Sequence, residues 1–279
     1  MSCLVKLRAV RDELSANEKK IADFILDNSA LIRDYSSQNL AASVGVSQSS
    51  IVKFAQKLNY RGFTDLKLAI HESVVINVNG ESVDDKGLKG EEPPDSIVTQ
   101  IYNIKNDALL TTMQLNEETR LLSAVKKLED SQRIQVLGMG SGSLVADNFA
   151  SKLIQLGKSV NAEKDSYIRL SNMATLGKGD VVLVISLTGQ SAKMIQMVRQ
   201  AKSAGVSIIS LTNYSANPIR SLADIQLFSV SREGDFEIPQ VISSTSQQHV
   251  VDLLFSLMLH RNTHAKDTLA LSRKAVDQY

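Results

Sequence analysis

The stretch RIQVLGMGSGS, residues 133–143, decides the fold of the larger part of this 279-residue chain. Apolar residues typical of a buried strand run into three glycines at alternate positions, and an amphipathic helical pattern starts at Ser143. Glycines let a backbone approach an anion closely, and free amides at a helix start point toward that anion. The stretch therefore predicts a strand, an anion-binding turn and a helix.

A second stretch of this kind, DVVLVISLTGQS at residues 180–191, places a hydroxyl-rich turn after another buried strand. A third strand, GVSIISLTN at residues 205–213, follows the next helical segment. Strands that alternate with such helices predict an α/β fold class with a doubly wound parallel sheet. Two hydroxyl-rich turns at neighbouring strand ends suit one phosphate group. The predicted ligand-binding residues of these turns are Gly140, Ser141, Gly142, Ser143, Ser186, Thr188, Gly189 and Ser191.

Two other interpretations of the turns stay open at this point. Serine and threonine often cap helices, so the hydroxyls could have a purely structural role. A dinucleotide site would instead have the spacing Gly-x-Gly-x-x-Gly and an acidic residue after the next strand. Here the third glycine is displaced by one position, although Glu163 and Asp165 lie at roughly the right distance. No cofactor is predicted.

Together the two turns resemble those of the SIS, or sugar isomerase, domain, whose second turn commonly reads Ser-x-Ser-Gly-x-Ser or Thr. The match is carried by Ser186, Thr188, Gly189 and Ser191. Thr188 stands where serine is usual. The resemblance implies a phosphosugar ligand, with Ser141 and Ser143 also facing the phosphate or the sugar.

Sugar selectivity and catalysis would need further side chains. The candidates for selectivity are Glu163, Asp165, Tyr167 and residues 243–247, which are predicted to lie before the C-terminal helix. Isomerases of this fold use a carboxylate base and often a histidine or lysine, so a phosphosugar isomerase is the alternative function. The residues that could take these roles are Glu163, Lys164, Asp165, Glu233, Asp235, Glu237 and His249. None has a diagnostic spacing, so we predict that the chain is not an enzyme and holds no metal.

The N-terminal part of the chain is predicted to be entirely helical. From Leu4 to about Ile70, apolar residues recur every three or four positions. A later segment has glycines, paired prolines and charges with almost nothing to bury, which is typical of a linker. The predicted organisation is a helical domain at residues 1–76, a linker at residues 77–95 and an α/β domain at residues 96–279.

Capping residues and apolar periodicity within the N-terminal domain predict a helix-turn-helix. Ser15 and Glu18 have capping-box spacing ahead of an apolar run. The next helix, residues 37–44, stops at Gly45, and Ser47 caps a third helix. A helix, a three-residue turn and a second helix are the layout of many DNA-binding proteins.

The outward face of the third helix has the chemistry of a DNA reader. Gln48 and Ser49 can exchange hydrogen bonds with base edges. Lys53, Lys57 and Arg61 can neutralise phosphates. Residues 44–67 contain four basic residues and one acidic residue, whereas the net charge of the whole chain is only +1. A solvated face on a structural helical bundle is the alternative interpretation.

The stretch SQSSIVKFAQKLNYRGFTDLKLAI, residues 47–70, resembles the helix-turn-helix signature of the RpiR family of bacterial regulators. The matching residues are Ser47, Ser50, Ile51, Lys53, Phe54, Gly62 and Phe63. Ser50 and Lys53 replace the usual threonine and arginine, and lysine cannot make the two-pronged contact of arginine. The predicted DNA-binding residues are Ser47, Gln48, Ser49, Ser50, Lys53, Lys57 and Arg61.

The RpiR resemblance, with this module ahead of a SIS domain, covers nearly the whole chain and implies a transcription regulator. Its similarity to regulators of N-acetylmuramate or sialic acid breakdown implies an N-acetylhexosamine 6-phosphate as the effector. Repression relieved by a catabolic intermediate is the default in this family, and activation stays open as the alternative. The expected partners are operator DNA, the phosphorylated amino sugar and further copies in a homodimer or homotetramer. A lone cysteine, Cys3, and the absence of a long apolar run predict a cytoplasmic protein without membrane contact.

Overall fold

The computed structural model describes residues 3–11, 14–29, 31–79, 97–230 and 239–278. The chain divides into two compact units, Met1–Ile104 and Lys105–Tyr279. Most of the predicted linker lies outside the described residues, as do Glu233, Asp235 and Glu237. The first unit is helical and the second has an α/β architecture, which confirms the predicted fold class.

The helices are α1 (Cys3–Val10), α2 (Ala16–Asp27), α3 (Ser37–Val44), α4 (Gln48–Lys57), α5 (Phe63–Asn79), α6 (Ile97–Leu115), α7 (Glu118–Glu129), α8 (Ser141–Gln155), α9 (Ser166–Ala174), α10 (Ala192–Ser203), α11 (Pro218–Leu222), α12 (Pro239–Arg261) and α13 (Thr263–Asp277). A 3-10 turn, Ile32–Asp34, lies between α2 and α3. The strands are β1 (Ile134–Gly138), β2 (Val160–Asn161), β3 (Val181–Ile185), β4 (Ser207–Thr212) and β5 (Ile225–Phe228). No helix in the described part of the chain is long and apolar enough to cross a membrane.

Local capping sets the ends of α3 and α4. The Ser36 hydroxyl accepts a hydrogen bond from the Asn39 amide, and the Ser47 hydroxyl accepts one from the Ser50 amide. Gly45 ends α3 with φ at 75°, in the left-handed region that glycine adopts easily. The turn between the two helices therefore follows from the residues beside it.

The first unit has a hydrophobic core of its own. Side chains from α2, α3 and α4 meet there, and Ile21, Ile25, Leu40 and Phe54 are fully buried. Because the inward residues of α4 recur every three or four positions, its opposite face stays exposed.

Among the described residues, five parallel strands form the sheet of the second unit, in the order β2-β1-β3-β4-β5. Gly138 of β1 pairs with Ile185 of β3, and Ile185 pairs with Leu211 of β4. The carboxyl ends of these three strands therefore lie at one edge. The strand order changes direction between β1 and β3, and ligands of doubly wound sheets bind outside the carboxyl ends at such a point.

Helices cover both faces of the sheet. On one face α7, α8, α12 and α13 pack around Phe149 and Leu254. On the other face α9, α10 and α11 pack around Val198 and Ile219. Every residue of β1 and β3 is buried, as expected for strands that are covered on both sides.

Two helices on the first face, α8 and α12, run side by side in the same direction. The Gln248 amide donates to Asn148 Oδ1, and Lys152 pairs with Asp252 one turn later in both helices. Both contacts join residues 100 positions apart. The first turn of α12 therefore lies beside the first turn of α8, at the carboxyl edge of the sheet.

Some element boundaries differ from the prediction. Helix α12 starts at Pro239, so residues 243–247 lie inside the helix rather than before it. Serine and threonine are weak helix formers, but Ser243 and Ser246 are buried, and tertiary packing overrides propensity. Helix α5 continues to Asn79, beyond residue 77, where the linker is predicted to begin.

Candidate ligand site and DNA-reading surface

Two turns rich in glycine and serine lie next to each other at the carboxyl edge of the sheet. The first connects β1 to α8, and the second connects β3 to α10. The strands end together, because Gly138 pairs with Ile185. The Ser191 hydroxyl donates to the Met139 sulfur at 3.5 Å, which joins the two turns directly. The structure therefore brings the two predicted motifs into contact.

Close backbone packing requires the glycines of the first turn. A Cβ on Gly138 would lie 2.3 Å from the carbonyl oxygen of Gly142. A Cβ on Gly142 would lie 3.1 Å from the carbonyl oxygen of Ile185, because the start of α8 rests on the end of β3. Gly140, before the half-buried Ser141, has φ at 58°. A side chain at Gly138 or Gly142 would therefore displace the start of α8 from the strand ends, whereas Gly140 is required for its backbone conformation.

We expect Gly138→Ala to lower the free energy of unfolding of the α/β unit by about 1.5 kcal/mol, because the added methyl group overlaps backbone atoms. Gly177→Ala is the matched control, since a Cβ at that position meets nothing within 4 Å. Urea denaturation followed by circular dichroism compares the variants. Equal stability of the two variants would contradict the close packing of the first turn.

The hydroxyl groups of the turns differ in what they already bind. Ser186 is buried and accepts a hydrogen bond from the Gly189 amide at 3.1 Å. Thr188 is exposed, and its hydroxyl accepts a long bond of 3.4 Å from a neighbouring amide. The Ser143 hydroxyl donates to the Gly140 carbonyl at 2.7 Å. Ser186 and Thr188 therefore have hydroxyl protons available to a ligand, whereas the proton of Ser143 is already donated within the turn.

Both helices that follow the turns begin without a side-chain cap. Gly140 occupies the N-cap position of α8, and Ser191 occupies that of α10 without capping it. Because the Ser191 hydroxyl goes to Met139 instead, helix capping does not account for this serine. The partial positive charge at both helix starts is directed toward the space beside the turns.

A third wall of the site follows β4, and sequence reasoning misses it. A Cβ on Gly189 would lie 2.0 Å from Oδ1 of the buried Asn217. Asn217 Nδ2 donates to Thr212 Oγ1 at 3.1 Å and to Asn213 Oδ1 at 3.3 Å. Its Oδ1 accepts from the Arg220 amide and caps α11. The Asn-Pro pair at the start of α11 is the signal in the sequence, because such pairs begin helices.

The carboxylates predicted to select the sugar follow β2 and are exposed. Glu163 Oε1 accepts hydrogen bonds from the amides of Lys164 and Asp165 at 2.8 and 3.1 Å. Asp165 caps α9 by accepting from the amides of Tyr167 and Ile168 at 2.9 and 3.0 Å. These bonds give both carboxylates a local role in the loop before α9, and their contact with a sugar stays a prediction.

Polar side chains are also buried in the early turns of α12. Ser246 Oγ and Gln247 Nε2 have no hydrogen-bond partner among the described residues. Buried polar groups normally pair, so these two side chains have unused hydrogen-bonding capacity. The first turn of α12 lies beside α8, which follows the first turn rich in glycine and serine. That residues 243–247 select the sugar stays a prediction.

The DNA-reading surface predicted for the first unit is the exposed face of α4. Its buried residues are Ile51, Phe54 and Ala55. Ser50 is half-buried. The other predicted DNA-binding residues are exposed: Ser47, Gln48, Ser49, Lys53, Lys57 and Arg61.

Hydrogen bonds join the start of α4 to the start of α3. Gln48 Nε2 donates to Ser37 Oγ at 2.9 Å. The Ser47 hydroxyl lies 2.9 Å from that of Ser49 and 2.8 Å from that of Ser50. The two helix starts therefore present one polar edge with several hydroxyl and amide groups.

Lys57, at the end of α4, has a partner within the protein. Its Nζ lies 2.7 Å from Glu18 Oε2, which also accepts from the Ser15 amide at 2.8 Å. Partial burial acts to raise the pKa of the Glu18 carboxyl, but the bonds from Lys57 and Ser15 outweigh it and lower that pKa below its usual value. Lys57 is thus held against α2, and its contact with DNA stays a prediction.

Two family models match this chain. Residues 1–75 match the helix-turn-helix domain of the rpiR family, and residues 127–257 match the SIS domain. The chain combines an rpiR-family helix-turn-helix domain with a SIS domain. It is therefore a transcription regulator in which a DNA-binding domain precedes a SIS domain, as the sequence motifs predict.

Several solved structures are similar to this chain. The NanR protein of Vibrio vulnificus, complexed with ManNAc-6P, is 22% identical, with a TM-score of 0.62 over 99% of this chain and 98% of that chain. The sugar isomerase domain of an RpiR transcription factor from Sphaerobacter thermophilus is 21% identical, with a TM-score of 0.58 over 66% of this chain and 100% of that one. A phosphoheptose isomerase from Francisella tularensis is 19% identical, with a TM-score of 0.51 over 59% and 97%. At these identities the likeness concerns the fold, which regulators and isomerases share.

Proposed function

We propose that this chain represses a sugar catabolic operon and that an N-acetylhexosamine 6-phosphate controls its affinity for operator DNA. The observation that carries the proposal is the contact between two hydroxyl-rich turns, at the carboxyl ends of β1 and β3, in a chain that also has a helix-turn-helix. A sensor and a DNA reader in one chain are the two parts that a ligand-controlled regulator needs.

The turns offer a phosphate group two kinds of partner. Ser186 and Thr188 can donate hydroxyl protons to its oxygens, and the starts of α8 and α10 have no side-chain caps. Ser141, Ser143 and Ser191 complete the proposed set of contacts. The glycines between these residues let the phosphate approach the backbone amides.

The amino-sugar part of the proposal is supported by a relative. NanR of Vibrio vulnificus is complexed with ManNAc-6P, and its fold matches this chain over nearly the whole length. We assign the same chemical class of ligand to this chain. Glu163, Asp165 and residues 243–247 are the proposed contacts to the sugar ring and its substituents.

The proposed assembly is a homodimer or a homotetramer. Regulators of this kind read palindromic operators with two recognition helices about 34 Å apart. A ligand changes DNA affinity only to the extent that it binds the two arrangements of these helices with different affinity. The effector would therefore act on the spacing of the DNA-binding domains.

A thermal-shift screen followed by a DNA-binding assay tests the proposal. We expect N-acetylhexosamine 6-phosphates to raise the Tm, and the free sugars to leave it unchanged. Operator DNA selected by the protein from a random-sequence pool then serves in fluorescence anisotropy. The same ligands should change its Kd, whereas a Tm shift without a change in Kd would contradict the regulatory part of the proposal.

A phosphosugar isomerase is the second candidate, because isomerases share the SIS fold. Its base would be Glu163 or Asp165, but both carboxylates accept backbone hydrogen bonds at the start of α9. We therefore propose that the chain binds phosphosugars without converting them. Incubation of phosphosugars with the protein in deuterium oxide tests this by NMR, since isomerisation would exchange the proton next to the carbonyl group.

Lys53→Ala is expected to weaken operator binding about fivefold at 0.15 M salt and to reduce the slope of log K against log salt by about one unit. Lys53 is exposed on α4 and has no ion-pair partner in the part of the chain that the structure describes. Lys127→Ala, which removes an exposed lysine of α7, is the control. An unchanged slope in Lys53→Ala would mean that Lys53 does not contact the DNA phosphates.

A further inference from the structure

A basic groove of about 750 Å³ lies in the first unit, between the 3-10 turn and the first turns of α5. Two segments line it, the 3-10 turn and residues 61–71. Their charged and histidine side chains are Arg33, Arg61, Asp65, Lys67 and His71. Three cations against one carboxylate leave a formal net charge of +2 on these four side chains. Asp65 already accepts from the Arg61 amide at 3.0 Å. The groove is therefore suited to an anion.

The cations of this basic groove are positioned by the fold yet remain accessible. Lys67 Nζ donates to the Tyr35 carbonyl at 3.2 Å, which joins α5 to the segment after the 3-10 turn. Arg33 lies 3.4 Å from Asp34, and the two side chains are 67% and 72% exposed. Ion pairs with such exposed side chains contribute little to stability. Arg33 can therefore leave this carboxylate and bind a stronger anion.

Short segments connect the basic groove to both ends of the helix-turn-helix. Arg33 precedes Ser37 by four residues, and Ser37 accepts a hydrogen bond from Gln48 at the start of α4. Arg61 follows Lys57, the last residue of α4, by four residues. In helix-turn-helix complexes the recognition helix lies in the major groove, and the helix before it crosses the DNA backbone. The start of α3 therefore brings the basic groove near the backbone that flanks the contacted bases.

We propose that the basic groove binds the DNA backbone next to the bases that α4 reads, with Arg33 and Lys67 on its phosphates. The inference rests on the proposed function, because it requires that α4 reads DNA. Charge complementarity selects a polyanion as the occupant, and Leu68, which is 58% exposed in the groove, offers an apolar surface to a deoxyribose. Phosphate contacts carry no base information, so the groove adds equal affinity for every DNA sequence.

The test compares operator DNA and random-sequence DNA by fluorescence anisotropy over a series of salt concentrations. Arg33→Ala should weaken binding to both DNAs about fivefold at 0.15 M salt and lower the salt slope by about one unit. The ratio of the two Kd values should not change. Arg33→Lys should retain the slope of the wild type. Arg8→Ala, which removes an exposed arginine of α1 outside the groove, is the control.

Three results would overturn the groove proposal. An unchanged Kd and slope in Arg33→Ala, with tight operator binding by the wild type, would do so and leave the proposed function intact. A loss confined to operator DNA would assign Arg33 to base reading rather than to the backbone. Failure of the wild type to prefer any DNA sequence would instead refute the proposed function and the groove proposal together.

Discussion

The double substitution Ser186→Ala and Thr188→Ala is expected to weaken binding of the amino-sugar 6-phosphate about 100-fold and to leave operator affinity without effector unchanged. Both residues have a hydroxyl proton available to a phosphate oxygen. A hydrogen bond to a charged group contributes about 1.5 to 3 kcal/mol, so at the lower value losing two costs about 3 kcal/mol, which corresponds to about 100-fold. Isothermal titration calorimetry measures the effector Kd, and fluorescence anisotropy measures operator binding.

Two control variants separate lost phosphate contacts from a disturbed turn. Ser203→Ala removes a hydroxyl that donates to the Gln200 carbonyl at the end of α10, so effector binding should match the wild type. Thr188→Ser keeps a hydroxyl at the exposed position and should change the effector Kd less than about threefold. A change of that size is no more than the contribution of one weak neutral hydrogen bond. A full effector response in the double variant would mean that the ligand binds in another part of the chain.

The ends of α3 and α4 are predictable from sequence because their signals are local. The cap formed by Ser47 involves an amide three residues away, and Gly45 ends α3 through its own backbone conformation. Helical periodicity over residues 47–58 likewise separates Ile51 and Phe54 from the exposed face. Each of these features depends on residues within about one helical turn, so the local sequence is enough to predict it.

Contacts between residues that are far apart in the sequence could not be predicted. Periodicity predicts a doubly wound parallel sheet, but it does not reveal that the two-residue strand β2 is the edge beside β1. The contact of Asn217 with Gly189 depends on how β4 and α11 return to the second turn. The pair formed by Lys57 and Glu18 joins residues 39 positions apart, and no local pattern predicts it.

Asp180→Asn is expected to lower the free energy of unfolding of the α/β unit by about 2 kcal/mol at pH 7, because it replaces a buried carboxylate that accepts charge-assisted hydrogen bonds from the half-exposed Arg133. The Asp180 side chain, at the start of β3, is 3% exposed. It accepts from Arg133 Nε at 3.2 Å, from Arg133 Nη2 at 2.6 Å and from the Gly177 amide at 2.9 Å. An asparagine amide cannot accept at both positions and presents N–H groups to a guanidinium group.

A half-exposed ion pair in the same unit is the matched control for Asp180→Asn. Asp147 pairs with Lys164, but its side chain is 36% exposed. Asp147→Asn should therefore cost less than about 1 kcal/mol. Urea denaturation combined with hydrogen–deuterium exchange of β1 and β3 reports on this unit. Equal losses in the two variants would contradict the effect assigned to burial of Asp180.

The pH dependence of Asp180→Asn distinguishes loss of charge from loss of packing. Burial acts to raise the pKa of the Asp180 carboxyl, but the hydrogen bonds from Arg133 and Gly177 outweigh it and lower that pKa. A lowered pKa stabilises the fold at pH values above the unfolded value of about 3.9, and this contribution is lost as the pH falls through the folded value. The stability gap between wild type and variant should therefore stay constant from pH 7 to about 4 and close below that. A gap that persists in acid would mean that the substitution acts through packing.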